Sequence, residues 1–554
     1  MTAAIRKLVN SPSKTIVSAA FLVGVGGLLS RLLGLLRTRL LASRFGAGDV
    51  TDAYLAAFRI PDFLYAILIM GSISAAFIPV FTQYWLKDKK EAWGLANSVL
   101  NLVIGALAVI GFLGFVLAPL IMPIIAPGFH GEKLKMAITM CRIMFLSPIL
   151  LGISNIFSGI LQGLNRFLVY SLAPSFYNLG IIFGIIVLVP VMGVNGLAWG
   201  VVLGAMLHWL VQLPAVIMNG WHWQSFFNWR DQGVRKILSL MGPRALGQAA
   251  TQINLVAITA IASLLTSGSL TVFNWANDIQ WLPLGVFGIG FATAVFPRLA
   301  RDFAKRNDHK FFQRLESVLS QVFFLTVPAS IILIMERGQI VRLLYGTGKF
   351  DWVDTRLTAA CLAIFCLSIF AQGLSLVLSR AFYARHDTKT PLVISLMTIA
   401  FNIFASLFFV YWLRHSPGLK FWLARSLSLE GLGSIEVIGL ALAFTLSNLL
   451  NWILLLGVLA SQQTDDFSEK LLKNSLKTIV ASIVMTVAIF ASLRLIAPLV
   501  NMHTGVGILI QASIAAIFGL VVYLLASHLA KSEPLTNFWQ DVKSWLSGLG
   551  VKSR

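Results

Sequence analysis

Long apolar runs follow one another along the chain from residue 15 to residue 529, broken only by short polar or Gly/Pro-containing turns such as FGAGDV (45–50), APGFHGEKLK (126–135) and TSGS (266–269). The runs are continuous and lack the period-2 alternation of barrel strands, so they read as helices. Crossing a bilayer takes about 20 apolar residues. A spanning segment must also satisfy its own backbone hydrogen bonds. On that basis the pattern predicts fourteen membrane spans: 16–46, 52–85, 94–125, 136–163, 168–191, 194–218, 237–265, 270–297, 315–335, 357–384, 391–413, 434–460, 478–497 and 504–529.

Composition agrees. Of 554 residues, 57% are hydrophobic and 12% charged, and the mean hydropathy is +0.83. The three cysteines, Cys141, Cys361 and Cys366, lie in apolar segments with no metal-ligand spacing, and read as small hydrophobes in helix packing. A short basic arm (Arg6, Lys7, Lys14) leads into the first span, without the pattern of a cleavable signal.

The net charge of +21 changes the picture through its distribution. With fourteen spans both termini share one side. That side carries 25 of the 43 Lys and Arg, including KDKK (87–90), RDFAKRNDHKFFQR (301–314) and RHDTK (385–389), against 9 in the opposite loops. Basic loops stay cytoplasmic, so both termini are placed in the cytoplasm and no nucleic-acid partner is implied. The other nine are all arginines inside spans: Arg31, Arg37, Arg39, Arg44, Arg59, Arg142, Arg244, Arg380 and Arg494. Such a charge costs at least about 2.5–3.5 kcal/mol at mid-bilayer. Arg44, Arg380 and Arg494 lie near span ends, where they can snorkel. Arg142 can pair within the bundle, and Arg39 fits either role. Arg31, Arg37 and Arg59 are deeper and point to a water-filled cavity or a bound anion. Their planar forks suit the paired oxygens of a diphosphate.

An internal repeat is visible. ISAAFIPVF (73–81) ends span 2 and FATAVFPRL (291–299) ends span 8, with proline and small residues in similar order. LQGLNRFLVYSLAP (161–174) and AFYARHDTKTP (381–391) join spans 4–5 and 10–11, again six spans apart. The organisation expected is an all-α protein of two pseudo-repeated six-helix lobes and two further helices around a central cavity. Its parts are an N-terminal arm (1–15), an N-lobe (16–218), a cytoplasmic linker (219–236), a C-lobe (237–460), a cytoplasmic loop (461–477), the last two spans (478–529) and a cytoplasmic tail (530–554). The repeat sets Asp278 near the depth of Arg59 and Asp62. Gln248, Gln252, Asn254, Asn274, Asn277 and Gln280, with Arg244, either line the cavity or hold helices together.

SRLLGLLRTRLLASRFGAGDVTDAYLAAFRIPDFL (30–64) resembles the opening of the MurJ (MviN) family of lipid II flippases, within the MOP exporter superfamily. GSISAAFIPVF (71–81), NWANDIQWLPLGVFGIGFATAVFPRLA (274–300) and the stretch from YGTGKFDWVDT to AFYARHDTKTP (345–391) are similar to later family motifs, in the same order. The resemblance implies a V-shaped two-lobe exporter in the bacterial inner membrane, a transporter rather than an enzyme. Its cargo would be lipid II or a similar polyprenyl-diphosphate glycolipid, with the cell-wall synthesis machinery a candidate partner. Ser30, Arg31 and Arg37 match the family's SRxxGxxR, Asp52 its TDA turn, and Arg59 its basic residue before xP. The chain departs from the family at Thr38, where Asp is usual. Tyr65 and Ala66 replace a basic pair, Met70 an acid, and Asp278 an arginine.

No P-loop is present, so the expected energy source is a membrane potential or an ion gradient, without a cofactor. A related exporter of another polyprenyl-linked oligosaccharide fits the same residues. A drug or metabolite antiporter fits less well, because cationic drugs favour acidic cavities. A membrane glycosyltransferase would need a carboxylate cluster or metal site in sizeable aqueous loops, and the loops here are short.

Overall fold

The computed structural model describes residues 16–67, 73–225, 228–461 and 466–548. Among them the backbone is helical almost throughout, with no strand. Among the described residues, eleven helices are long and apolar enough to cross a membrane, twelve if Trp352–Cys366 and Ile369–Ala384, bent by 45°, form one crossing. The chain is a multi-pass membrane protein, but the count falls short of the fourteen spans expected from hydropathy. The difference lies at 52–85 and 237–265. The first divides into helices of 17 and 15 residues, Asp49–Tyr65 and Ile73–Lys87. The second belongs to the helix Gln232–Ser263, of which Thr251–Ser263 is the apolar stretch among the residues whose side chains are described. Met70 lies outside the described residues.

Two compact units emerge, Met1–Thr271 with Thr347–Phe350, and Val272–Gly346 with Asp351–Arg554. In the first, the helices are α1 (Ile16–Phe45), α2 (Asp49–Tyr65), α3 (Ile73–Lys87), α4 (Lys89–Ile125), α5 (Gly131–Met144), α6 (Leu146–Gly163), α7 (Phe167–Phe183), α8 (Asn195–Leu210) and α9 (Gln232–Ser263). Polar loop residues start several of them. Asp88 accepts from the Lys90 amide at 2.7 Å and Asp231 from the Val234 amide at 3.1 Å. Phe77, Phe81, Leu95, Val99 and Phe157 form a core that also takes in Val234 and Ile237, so the start of α9 packs into this unit. Glycines let α7, its π-helical continuation Gly184–Leu188, and α8 meet backbone to backbone. A Cβ on Gly180 would lie 2.3 Å from the Gly204 Cα, and one on Gly184 2.5 Å from the Gly200 Cα.

The second unit begins inside α10 (Ser269–Pro283). It continues through α11 (Ile289–Ala304), α12 (Asp308–Met335), α13 (Arg337–Tyr345), α14 (Trp352–Cys366), α15 (Ile369–Ala384), α16 (Lys389–His415), α17 (Val437–Ala460), α18 (Asp466–Ile496), α19 (Gly505–Leu529) and α20 (Glu533–Gly548). Asn307, in the most basic loop, caps α12 by accepting from the Lys310 amide at 3.0 Å. The Tyr523 hydroxyl donates to the Phe324 carbonyl at 2.7 Å and ties α19 to α12. Leu535 of α20 reaches the same cluster. Cys141, Cys361 and Cys366 are buried and free.

Two backbone features fall at positions that the sequence repeat would pair. π-type hydrogen bonding sets in at Ala66 after α2 and at Leu284 after α10, and the spacing between these two points equals that between Pro79 and Pro297. The turns after α6 and α15 each carry a non-glycine residue at positive φ, Asn165 (57°) and His386 (61°). π-bulges interrupt the regular ladder and cluster at functional sites.

The glycine contact gives a direct test of the packing. Gly180→Val meets backbone that cannot rotate away and should cost about 1–3 kcal/mol, a typical overpacking penalty. Gly24→Ala has nothing within 4 Å of the new Cβ and should leave the thermal midpoint in detergent unchanged or raised.

Candidate functional site: an arginine and carboxylate face in the first unit

Helix α1 carries the first motif. Ser30 and Arg37, seven residues apart, share a face. The Asn178 side-chain amide of α7 donates to the Ser30 carbonyl at 3.2 Å and to its hydroxyl at 3.3 Å. Thr38 is buried and turns its hydroxyl back to the Gly34 carbonyl at 3.1 Å, so the position where the family resemblance suggests Asp is occupied by a self-satisfied side chain. Arg31 is exposed and turned about 100° from Ser30 around the helix. Arg39 is exposed as well. Arg44, read as a snorkelling residue, instead donates to the Ile185 carbonyl at 2.7 Å, inside the π-helical segment.

Helix α2 supplies the facing groups. Arg59 is half-buried and its Nε donates to the Thr259 hydroxyl of α9 at 2.7 Å. Asp62, one turn on, is exposed and lies within electrostatic reach of both Arg59 and Arg37. Arg37 and Asp62 also act on Tyr54 and Tyr177. Tyr65, where the family resemblance suggests a basic residue, accepts from the Asn155 amide at 3.0 Å. Two guanidinium groups, one carboxylate and a fringe of phenols therefore meet on one face of the first unit. Tyr54, Tyr177 and Thr259 were not singled out from sequence, because tyrosine and threonine in an apolar run look like packing. The structure does not bring Arg31 into this group.

Asp52 sits elsewhere, 2% exposed, at a hub beside the turn after α1. Its carboxylate accepts from Lys133 Nζ (2.9 Å), the Gly268 amide (2.8 Å), and the Thr271 amide (3.0 Å) and hydroxyl (2.7 Å). Lys133 also pairs with Asp49 at 2.7 Å, and Asp49 accepts from the Ser267 hydroxyl at 2.7 Å. The Lys133 ammonium holds the Asp49 carboxyl below the ordinary value of 3.8. Gly268, at φ +86°, and Gly348, at φ +63°, pass so close to the carbonyls of Ala47 and Ser43 that a Cβ would collide with them. Both oxygens of Asp52 are thus used within the fold.

The remaining expected residues divide. The side chains of Arg244 and Gln248 lie outside the described residues, and Gln252 and Asn254 are half-buried on α9. In the second unit Asp278 is exposed and Asn274 half-buried. Gln280 is fully buried. It donates to Asn277 at 2.6 Å and accepts from Gln372 at 3.1 Å, and Gln372 in turn reaches Ser368. These amides join α10 to α15. Arg142 donates to the Phe115 carbonyl at 3.1 Å, Arg380 lies over Phe296 and Tyr383, and Arg494 lies 4.5 Å from the Phe490 ring centre.

The chain as a whole is similar to known proteins. Residues 41–514 match the family model described as "Lipid II flippase MurJ". The probable lipid II flippase MurJ of Bdellovibrio bacteriovorus is 30% identical over 536 residues, 94% of this chain and 96% of the relative. The lipid II flippase MurJ of Burkholderia cenocepacia is 29% identical over 400 residues, covering 70% and 77%. A solved lipid II flippase MurJ in an inward closed conformation shares the fold, with a TM-score of 0.72 at 24% identity over 94% of this chain and 99% of that one. An inward-facing multidrug MATE transporter of the MOP superfamily shares it more distantly, with a TM-score of 0.63 at 16% identity over 80% and 95%.

The hub yields two expected outcomes. Asp52→Ala leaves the buried Gly268 and Thr271 donors without their acceptor and Lys133 with Asp49 alone, and should cost about 3 kcal/mol or more. Asp49→Ala should cost under about 1 kcal/mol, because that carboxylate is more than half exposed. Both are read from thermal melting of the purified protein. The folded Asp49 value is depressed, so its stabilisation is complete above pH 3.8 and is lost as pH falls through the lower folded value. The small melting difference between wild type and Asp49→Ala should stay level at neutral pH and close only below about pH 4.

Proposed function

The chain belongs to the lipid II flippase MurJ family, and from that membership we propose that it carries the undecaprenyl-diphosphate-linked peptidoglycan precursor lipid II from the cytoplasmic to the outer leaflet of the bacterial inner membrane. The observation that carries the site assignment is the meeting of Arg37 and Arg59 with Asp62 on one face of the first unit. Arg37 and Arg59 hold the diphosphate. Arg31, exposed on α1, lies outside this group.

The chemistry is a charge exchange with no bond made or broken. With no cargo bound, Asp62 partly neutralises the two guanidinium groups. An incoming diphosphate offers more charge and paired oxygens that match the forks, and displaces the carboxylate's influence. On release Asp62 takes that role back. A carrier needs this balance, since unopposed arginines in a low-dielectric site would hold a diphosphate too tightly to let it go. The aromatic fringe of Tyr54, Tyr65 and Tyr177 gives the pyrophosphate–sugar junction a half-polar wall.

In this proposal the chain makes fourteen crossings, as two pseudo-repeated six-helix lobes followed by two helices, with both termini cytoplasmic. The face that holds the diphosphate opens alternately to the two sides of the membrane. Membrane potential or an ion gradient drives the cycle. The phosphate contact reads no sugar, so another polyprenyl-diphosphate oligosaccharide is the second cargo this face would accept.

Complementation tests the proposal. The wild-type chain should restore growth to bacteria depleted of their own lipid II flippase. Arg37→Ala and Arg59→Ala, expressed and inserted equally, should fail, and Arg37→Lys should rescue partly, because it keeps the charge and loses the fork. Normal growth with both alanine variants would remove these residues from the cargo site. Topology is checked separately. In a cysteine-free background, a cysteine at 131 should label with an impermeant external thiol reagent and one at 308 should not.

A further inference from the structure

Within the second unit, away from the arginine face, a cavity of about 700 Å3 opens where α11, α12, α18 and α20 converge. Four cations line it: Arg298 from α11, Lys310 and Arg314 one turn apart on α12, and Lys470 from α18. Arg314 is engaged by Asp302 at 2.6 Å. Arg298, Lys310 and Lys470 are exposed into the opening and form no ion pair among the described residues. Glu316, also on the wall, is buried and occupied by the Ser320 hydroxyl at 3.0 Å and the Asn474 amide at 3.2 Å. The rim is the polar face of α20, where Glu533 and Asn537 stand one turn apart. That helix is held in place: Leu535 is anchored in the core beside Phe324 and Tyr523, and Lys477 donates to the Lys531 carbonyl at 2.9 Å in the turn before α20.

Arg298, Lys310 and Lys470 converge from three helices without an ion pair among the described residues, and the carboxyl groups of Glu316 and Glu533 on the same lining oppose four cations in all, so an anion that joins them relieves the remaining repulsion. We propose that this cavity is a binding site for a phosphate-bearing anion, held by Arg298, Lys310 and Lys470 and gated by the Glu533 carboxylate. The anion is either the headgroup of an acidic phospholipid or a soluble phosphate compound, since both present the same oxygens to the same cations. Trp539, half exposed on α20, is the kind of residue that rests at the level of lipid headgroups.

The test uses the full-length protein in two arms. In uncharged detergent, binding of inorganic pyrophosphate is followed by calorimetry. In nanodiscs of phosphatidylglycerol and phosphatidylcholine, retention of phosphatidylglycerol is followed by native mass spectrometry. Three variants are compared with wild type: Arg298→Gln/Lys470→Gln, Glu533→Gln, and a control pair Lys89→Gln/Lys90→Gln, exposed on α4 of the other unit. Expected are about tenfold weaker binding in the first, binding strengthened about twofold or more in the second as a repelling carboxylate is removed, and no change in the control. A response in the pyrophosphate arm marks a soluble ligand, and one confined to nanodiscs marks a lipid headgroup. Glu533→Gln keeps all the cations, so the inference stays testable if the double variant misfolds. It is overturned if binding in both arms is indifferent to Glu533→Gln and to the double variant, or if the control pair loses as much as the double variant. Each comparison is repeated in an Arg37→Ala background, where the proposed cargo face holds pyrophosphate more weakly and the effects of Arg298→Gln/Lys470→Gln and of Glu533→Gln should persist, which separates this site from the cargo face.

Discussion

A guanidinium group in hydrocarbon must be met by something, and that requirement organises the protein. Each arginine costs at least about 2.5–3.5 kcal/mol at mid-membrane unless a partner stands by. Several partners are fixed parts of the fold. Arg44 meets the Ile185 carbonyl within a π-helical turn, Arg142 a carbonyl of α4, and Arg380 and Arg494 the faces of aromatic rings. These are settled contacts, with the charge close to the atoms that compensate it. Arg37 and Arg59 differ. Arg59 also donates to the Thr259 hydroxyl, but the two share the exposed carboxylate of Asp62 as a counter-charge. In the proposed function, that exchangeable counter-charge is what lets this face take up a cargo and release it.

The backbone is shaped to allow this. Helix α1 lies along α7, which it meets through Ser30 and Asn178, while α7 lies against α8 with glycine facing glycine, so the wall behind α1 is thin and tightly joined. The Asp52 hub fixes the turn between α1 and α2 to the start of α5 and to the loop before α10. Arg37 and Arg59 are thereby carried on two helices whose connecting turn is rigid. The π-type turns after α2 and α10 occur at matching points of the repeat, so each unit breaks its helical ladder at the same place. In α10 the break directly follows Pro283 and in α2 it comes five residues after Pro61, and it leaves backbone groups outside the regular i to i+4 pattern.

Much of this was legible in the chain itself. Helical class, the repeat and the family follow from apolar runs of spanning length and from motifs such as SRLLGLLRTR and FATAVFPRL. Arg37 and Arg59 stand out because charge in an apolar run is expensive wherever it falls. What sequence does not carry is the partner across space. Asp52 looked like part of a cavity, but its donors come from residues 81, 216 and 219 positions away, and no local pattern announces them. Gln280 and Asn277 could not be divided between glue and lining until Gln372, 92 positions on, appeared beside Gln280. Span 52–85 reads as one apolar run, whereas the described backbone changes its hydrogen bonding at Ala66. Arg298 and Lys470 read as ordinary cytoplasmic loop charges. Their convergence with Lys310 depends on how α11, α12 and α18 pack.

The central claim is that Arg37 and Arg59 recognise the diphosphate of the cargo. Equilibrium binding of purified protein to lipid II, compared with undecaprenyl monophosphate, tests it most directly. Charge-assisted contacts contribute about 1.5–3 kcal/mol each, so wild type should prefer the diphosphate by about tenfold or more. Arg37→Ala and Arg59→Ala, each confirmed as folded, should lose most of that preference while keeping the weaker affinity for the monophosphate. Retention of the full diphosphate preference in both variants would contradict the account and leave these arginines as members of the bundle alone.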